Sequence, residues 1–261
     1  MDYRIEPLTP ERIDDYIKPC LVQGEVVDKG ITLKRELVLS QLDQGFVGRL
    51  LYVEDRPVGL AEALPIEIAP FKIEGANLAF LHCIWVKPEW QGRGYGKELL
   101  RDVLAAIAPR GLAVFGFDYA SFMPADFFLS QGFVEIEERD NIKLLYHQPH
   151  GMKAGKPPAD VRWIPRFYEP ILKPGKLVVE VFVDNHCPYA SLIADRVSSA
   201  AKEVAPERIE VIVHDVTDRA DMLRLSKSLG VFANGEELFL GPVHRDDVID
   251  MLREHLERIE E

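Results

Sequence analysis

The stretch that decides the fold is Val86-Lys87-Pro88-Glu89-Trp90-Gln91-Gly92-Arg93-Gly94-Tyr95-Gly96-Lys97-Glu98-Leu99-Leu100. Just before it, residues 78–86 form an apolar run with one histidine, bounded by Pro88 and too short for a core helix. It reads as a buried strand. After it, Leu99, Leu100, Val103, Leu104 and Ile107 recur at helical spacing, so residues 97–108 read as an amphipathic helix. Between the two, three alternate glycines let successive backbone N–H groups converge on one point at a helix N-terminus. Such a turn suits a pyrophosphate without a basic protein around it. A dinucleotide site would add an acidic residue about 20 positions on. Asp118 lies 24 past Gly94, so spacing alone leaves that option open.

Outward from this loop, residues 47–53 and 58–64 read as a hairpin around Glu54-Asp55-Arg56-Pro57. Downstream come a strand at 112–118, a short helix at 124–131 closed by Gly132, and strands at 134–138 and 143–147. The chain then changes character. Residues 149–176 contain Pro149, Pro157, Pro158, Pro165, Pro170 and Pro174, and six basic against two acidic residues. Proline fixes φ and removes a donor, so this reads as an extended linker that resists helix and sheet. Trp163, Phe167 and Tyr168 suggest that it lies against a folded body. Residues 177–261 follow the order β-α-β-α-β-β-α, with strands at 177–183, 209–215, 231–233 and 237–240. Helices are expected at 188–204, 219–229 and 245–259, and Asn234-Gly235 marks the last hairpin. The expected class is α/β (α+β), divided into residues 1–148, a linker at 149–176, and residues 177–261.

Val-x-Pro, Gln-x-x-Gly-x-Gly and a Leu-rich helix, followed by Phe127-Phe128-Leu129-Ser130-Gln131-Gly132-Phe133, resemble the GNAT superfamily of N-acetyltransferases. The resemblance covers roughly residues 1–147 and implies acetyl-CoA as co-substrate. It assigns the pyrophosphate to Gln91, Gly92, Arg93, Gly94, Tyr95, Gly96 and Lys97. It assigns pantetheine pairing to the backbone of Ile84, Trp85 and Val86. Ser121 stands where many relatives contact CoA through asparagine. Phe128 stands where many relatives keep a proton-donating tyrosine, and a phenyl ring leaves it only a place beside the cofactor.

Acetyl transfer needs a neutral amine, hence a base, and a proton for the leaving thiolate. Alternation places Phe80, His82, Ile84 and Val86 on one face of their strand. Phe80 occupies a position where some relatives keep a glutamate. His82, whose ordinary pKa is near 6.5, is the substitute base; the competing reading is a hydrogen-bonded core histidine. Glu62 is a second candidate, set against an ordinary solvated carboxylate. Tyr119 is a candidate acid, set against a packing residue. Residues 8–45, which usually shape the acceptor site in the family, carry no readable motif.

In the last region, Asp184-Asn185-His186-Cys187-Pro188-Tyr189-Ala190 places a cysteine between strand and helix. A helix N-terminus and a protonated His186 would each favour its thiolate. The element order and Cys-Pro-Tyr-Ala resemble a thioredoxin-like domain that has lost its second cysteine. With the paired Pro157-Pro158 and Trp163 ahead of it, the region resembles the YoaP-type C-terminal domain fused to some GNAT acetyltransferases. Cys187 is thus either a reactive monothiol or an inert residue of a retired redox fold.

The composition supports this frame. The 261 residues carry 31 Lys plus Arg against 43 Asp plus Glu, a net charge of −12. That balance disfavours an extended nucleic-acid groove. No apolar run reaches the roughly 18 residues that span a bilayer, and the N-terminus lacks a signal-peptide pattern. Cys20, Cys83 and Cys187 are too scattered for a disulfide framework or a metal cluster. The expectation is a cytoplasmic acetyltransferase without a metal. Its partner would be a small-molecule or peptide amine, with no membrane or nucleic-acid partner. Oligomeric state is left open.

Overall fold

The structure, a computed structural model, describes residues 2–21, 25, 27–118, 122–139, 141–149, 151, 157–165 and 167–260. Its contacts divide into two compact units. The first comprises Met1–Glu25, Val38–Ala69 and Ile73–Ile164; the second comprises Val26–Leu37, Pro70–Lys72 and Pro165–Glu261. Residues 26–37, early in the chain, therefore fold with its last third.

In chain order the elements up to residue 164 are β1 (Tyr3–Pro7), α1 (Ile13–Ile17), α2 (Asp28–Gln41), β2 (Val47–Val53) and β3 (Arg56–Pro65). They continue with β4 (Ile73–Glu74), β5 (Leu78–Val86), α3 (Tyr95–Ala106), β6 (Gly111–Phe117) and α4 (Ala125–Ser130). Then come β7 (Val134–Arg139), β8 (Ile142–His147) and β9 (Arg162–Trp163). Seven strands form one sheet in the order β1-β2-β3-β5-β6-β8-β7. Every neighbouring pair is antiparallel except β5 and β6. The helical spacing of Leu99, Leu100, Val103 and Leu104 buries that face of α3 against Ala61, Leu81, Ile84 and Val114. Each such side chain contributes roughly 1.5–3 kcal/mol. The β2–β3 turn is tighter than its sequence suggests. Glu54 and Asp55 take φ of 49° and 61°, and Arg56 and Pro57 already belong to β3. Two left-handed residues match the twist of a two-residue hairpin.

Alternation along β5 is broken. Glu62 pairs with Cys83 while the next residue, Ala63, pairs with Leu81, so His82 is an extra residue in the ladder. Such a bulge shifts the facing of every residue beyond it. Ala79 and Leu81 face the α3 core, and so do Ile84 and Val86. Phe80 instead meets Phe115 edge-on at 5.0 Å, on the other face. The expected common face of Phe80, His82, Ile84 and Val86 is therefore corrected: Ile84 and Val86 lie opposite Phe80.

The proline-rich segment is also not wholly free of sheet. Arg162 and Trp163 pair with Glu74 and Ile73. Trp163 stacks on Phe115 at 4.4 Å and 13°, and Arg139 sits 5.6 Å from its ring centroid. Of the three aromatic rings in the segment, Phe167 is 86% exposed.

In the second unit the elements are β10 (Leu177–Val183), α5 (Ala190–Val204), β11 (Ile209–Asp215), α6 (Arg219–Leu225), β12 (Gly230–Ala233), β13 (Glu236–Phe239) and α7 (Arg245–Glu260). Their sheet runs β11-β10-β12-β13, parallel between β10 and β11 and antiparallel elsewhere. Asn234, with φ of 46°, makes the final hairpin turn with Gly235. Helix α6 stops earlier than its spacing suggests, because Ser226 adopts φ of 58°. Tyr168 anchors the strap here. Its ring packs edge-on to Phe182 at 5.4 Å and its hydroxyl donates to the buried Glu180. Glu180 also accepts from the Ile171 N–H at 2.9 Å and contacts Nε2 of His214 at 2.8 Å. Burial and this hydrogen bond raise the Tyr168 pKa.

Candidate active site

β5 and β6 pair only from Leu78 with Gly111 to Leu81 with Val114. Beyond that point β6 continues to Phe117 and β5 to Val86 without a ladder between them. Among the described residues, no strand pairs with residues 84–86 on that edge, while their other edge is held by Ala61, Leu60 and Gly59. An open edge offers backbone N–H and C=O groups to an extended ligand.

The open edge leads directly into the glycine loop. Gly92 and Gly94 have φ of 73° and 83°, and a Cβ on either would meet nothing within 4 Å. Their need for glycine is therefore conformational, not steric. Gly94 is the N-cap of α3, so the N–H groups of Tyr95, Gly96 and Lys97 open the helix without intrahelical acceptors. Arg93 packs 4.9 Å from the Trp90 ring centroid and donates to the Glu89 carbonyl. Gln91 differs from expectation in what its side chain touches. Its Nε2 donates to the Val86 carbonyl at 2.8 Å, fixing the loop to the end of β5. Tyr95 is buried, its ring 5.5 Å from that of Tyr3, so only its backbone faces the loop. Phe128 is wholly enclosed between Phe127 and Phe133. That corrects its expected place beside the cofactor: the ring is part of the core. Tyr119 and Ser121 lie outside the described residues.

On the sheet face away from α3, Glu62 and His82 come together. Glu62 Oε2 lies 3.2 Å from His82 Nδ1, with the Glu62 side chain fully buried and that of His82 10% exposed. An ordinary solvated carboxylate is thereby excluded. Glu62 falls between Ala61 and Ala63, which face the α3 core, and so points the opposite way. The bulge brings His82 to it. Tyr16 of α1 is wholly buried with its hydroxyl 3.5 Å from the Ala61 carbonyl; its pKa is raised well above the usual phenol value by burial first, then by the Glu62 charge. Tyr16 went unseen in the sequence. The only signal was the spacing Ile13, Tyr16, Ile17, which reads as one apolar face of a short helix. Trp85 also projects to this face, 6.3 Å from Phe122.

In the second unit, Cys187 is exposed in the turn between β10 and α5. The helix begins at Ala190, two residues later than expected, and the Ala190 N–H donates to the Cys187 carbonyl at 3.1 Å. His186 is buried, its Nδ1 2.7 Å from Asp184 Oδ1. Its carbonyl accepts from Nζ of the buried Lys34 at 2.6 Å. A Cβ on Gly30 would lie 1.8 Å from the Pro188 carbonyl oxygen, so α2 approaches this turn more closely than any side chain allows.

Residues 12–133 match the family model of the Acetyltransferase (GNAT) family. A curated relative, the uncharacterized N-acetyltransferase YoaP of Bacillus subtilis, is 24% identical over 98 residues, which span 38% of this chain and 38% of that one. Among solved structures, the PaiA N-acetyltransferase of Thermoplasma acidophilum in complex with coenzyme A is 17% identical. It covers 57% of this chain and 99% of its own, with a TM-score of 0.45. A GNAT-family acetyltransferase from Staphylococcus aureus is also 17% identical, covering 56% and 98% with a TM-score of 0.42. Among the described residues, no helix is long and apolar enough to cross a membrane.

Proposed function

We propose that this chain, whose residues 12–133 match the GNAT acetyltransferase family model, transfers acetyl from acetyl-CoA directly to a primary amine in a ternary complex. The observation that carries the reading is the open edge of β5 running into the glycine N-cap of α3. Acetyl-CoA would lay its pantetheine along residues 84–86 and its pyrophosphate against the N–H groups of residues 92–97, where a helix start favours anions. An N–H of the same edge would polarise the thioester carbonyl.

The acceptor amine must lose a proton to attack. His82 is the base in this reading, with Glu62 Oε2 3.2 Å from its Nδ1. Attack gives a tetrahedral intermediate. Its collapse breaks the carbon–sulfur bond and releases the CoA thiolate, which takes up a proton as the amide forms. The acceptor is a small-molecule or peptide amine. Cys20, Cys83 and Cys187, in no disulfide among the described residues, suit a reducing compartment such as the cytoplasm.

The deciding experiment is thiol release from acetyl-CoA over a panel of polyamines, aminoglycosides, amino acids and peptides, with Gly94→Trp and His82→Ala beside the wild type. Amine-dependent release abolished by Gly94→Trp supports transfer. Clear acetyl-CoA binding without release across the panel would favour a sensor instead.

A second reading rests on the exposed Cys187 and on the sheet order of the second unit, with its single parallel pair. Both fit a thioredoxin-like domain. In that reading the Cys187 thiolate attacks a small disulfide, leaving a mixed disulfide and releasing one thiol, and thereby regulates the transferase. Loss of the disulfide response in Cys187→Ser is the expected result. A Cys187 thiol titrating near the ordinary value of about 8.5 would count against it.

A further inference from the structure

We infer that the chain pairs with a second copy of itself through β11, the two strands running antiparallel about a two-fold axis at Ile212. Their four-stranded sheets then join into one. This surface is independent of the transferase reading above.

Among the described residues β11 pairs with β10 alone, so its other side is a sheet edge. An edge presents unpaired N–H and C=O groups, and proteins that stay apart blunt it with lysine, proline, bulges or shortness. The other edges of the two large sheets carry such features. β1 contains Arg4 and ends on Pro7. β7 holds Glu135, Glu137 and Glu138 with an irregular register, and β13 has four residues beginning Glu236-Glu237. β11 differs. Its seven residues, Ile209-Glu210-Val211-Ile212-Val213-His214-Asp215, include no lysine or proline. They pair one for one with β10 and leave Val213 48% exposed.

Hydrogen-bond parity and charge fix the register. The Arg208 carbonyl accepts from the Leu177 N–H at 2.9 Å, and the Val216 N–H donates to the Val183 carbonyl at 3.0 Å. A parallel ladder bonds through alternate residues, so Glu210, Ile212 and His214 bond β10 while Val211 and Val213 turn their N–H and C=O outward. An antiparallel partner must set outward residues against outward residues. An axis at Ile212 does so with all of β11 overlapped. Val211 exchanges both main-chain bonds with the partner's Val213, and the exposed Val213 is covered by the partner's Val211. Glu210 stands opposite the partner's His214, and Ile209 opposite the partner's Asp215, so no acid faces an acid. An axis at Val211 or Val213 shortens the overlap and sets Glu210 or His214 against isoleucine.

The test uses the full chain. In sedimentation velocity over a dilution series, the wild-type mass rises from one chain towards two with concentration. Val213→Pro removes an N–H that points away from β10, a place where edge strands tolerate proline, and the rise is lost. A wild type that stays at one chain throughout overturns the proposal, as does a folded Val213→Pro that still dimerises. If Val213→Pro does not fold, cross-linking decides. In a Cys187→Ser background, Ile212→Cys faces its own copy with Cα atoms about 4.5 Å apart, within reach of a disulfide. Oxidised glutathione then yields a covalent dimer on non-reducing gels. Val213→Cys lies a diagonal step further from its copy and yields at least about tenfold less. Equal yields from the two variants, or no dimer from Ile212→Cys, overturn the proposal.

Discussion

Glu62 and His82 touch because β5 carries one residue more than β3 between the Cys83 and Leu81 pairings. Without that residue, strict alternation would aim the two side chains by register alone. Glu62→Gln keeps the shape but replaces an acceptor-only group with one that also donates. The expected result is a fall in kcat of about 100-fold or more, by the logic of a wrongly held tautomer, with acetyl-CoA binding unchanged by calorimetry.

The glycine loop makes a separable prediction. Gly94→Ala meets no atom within 4 Å, yet it must hold φ of 83°. The cost is then about 1–2 kcal/mol of backbone strain, measured by denaturant unfolding. Gly96 lies 3.5 Å from Phe127 in ordinary contact, so Gly96→Ala leaves stability nearly unchanged. Acetyl-CoA affinity falls more for Gly94→Ala than for Gly96→Ala.

Trp163 tests how the segment 157–164 is held. Its indole Nε1 is buried with no hydrogen-bond partner among the described residues, while its ring stacks on Phe115. Trp163→Phe keeps an aromatic ring there and removes an unsatisfied donor, so thermal unfolding shifts little. Trp163→Ala loses the stack and costs about 3 kcal/mol.

Glu180 should behave as a keystone of the second unit. Glu180→Leu strands the Tyr168 hydroxyl and the Ile171 N–H at once. Destabilisation of about 3 kcal/mol is expected, with faster proteolysis within residues 165–176. Unchanged proteolysis would show that the strap is held elsewhere.

Alkaline titration separates the tyrosines. Tyr52, donating to Asp15 at 2.9 Å, has its pKa pushed up to about 12, chiefly by burial. Tyr16 and Tyr168 are raised as well. A phenol whose folded pKa lies above its unfolded value adds stability that is complete below pH 10 and lost as pH climbs through the folded value. Of eight tyrosines, these three should stay un-ionised by 295 nm absorbance at pH 11 and appear together on unfolding. Their ionisation at pH 10 in the folded protein would contradict their burial.

What local backbone chemistry dictates was readable from the chain alone. Left-handed glycines before a Leu-patterned helix, the Asn234-Gly235 hairpin and the nine-residue strand at 78–86 are each specified by residues adjacent in the chain. The candidate cofactor loop was legible for that reason. The rest depended on contacts between residues far apart in the chain. A bulge is a mismatch between two strands, so no reading of β5 alone reveals that His82 is the extra residue or that Ile84 lies opposite Phe80. Tyr16 reads as an apolar-face residue until β3 places a carboxylate beneath it. Trp163 and Tyr168 share one proline-rich segment, yet Trp163 stacks on Phe115 while Tyr168 binds Glu180. Such partners are set by long-range packing, which composition and spacing do not carry.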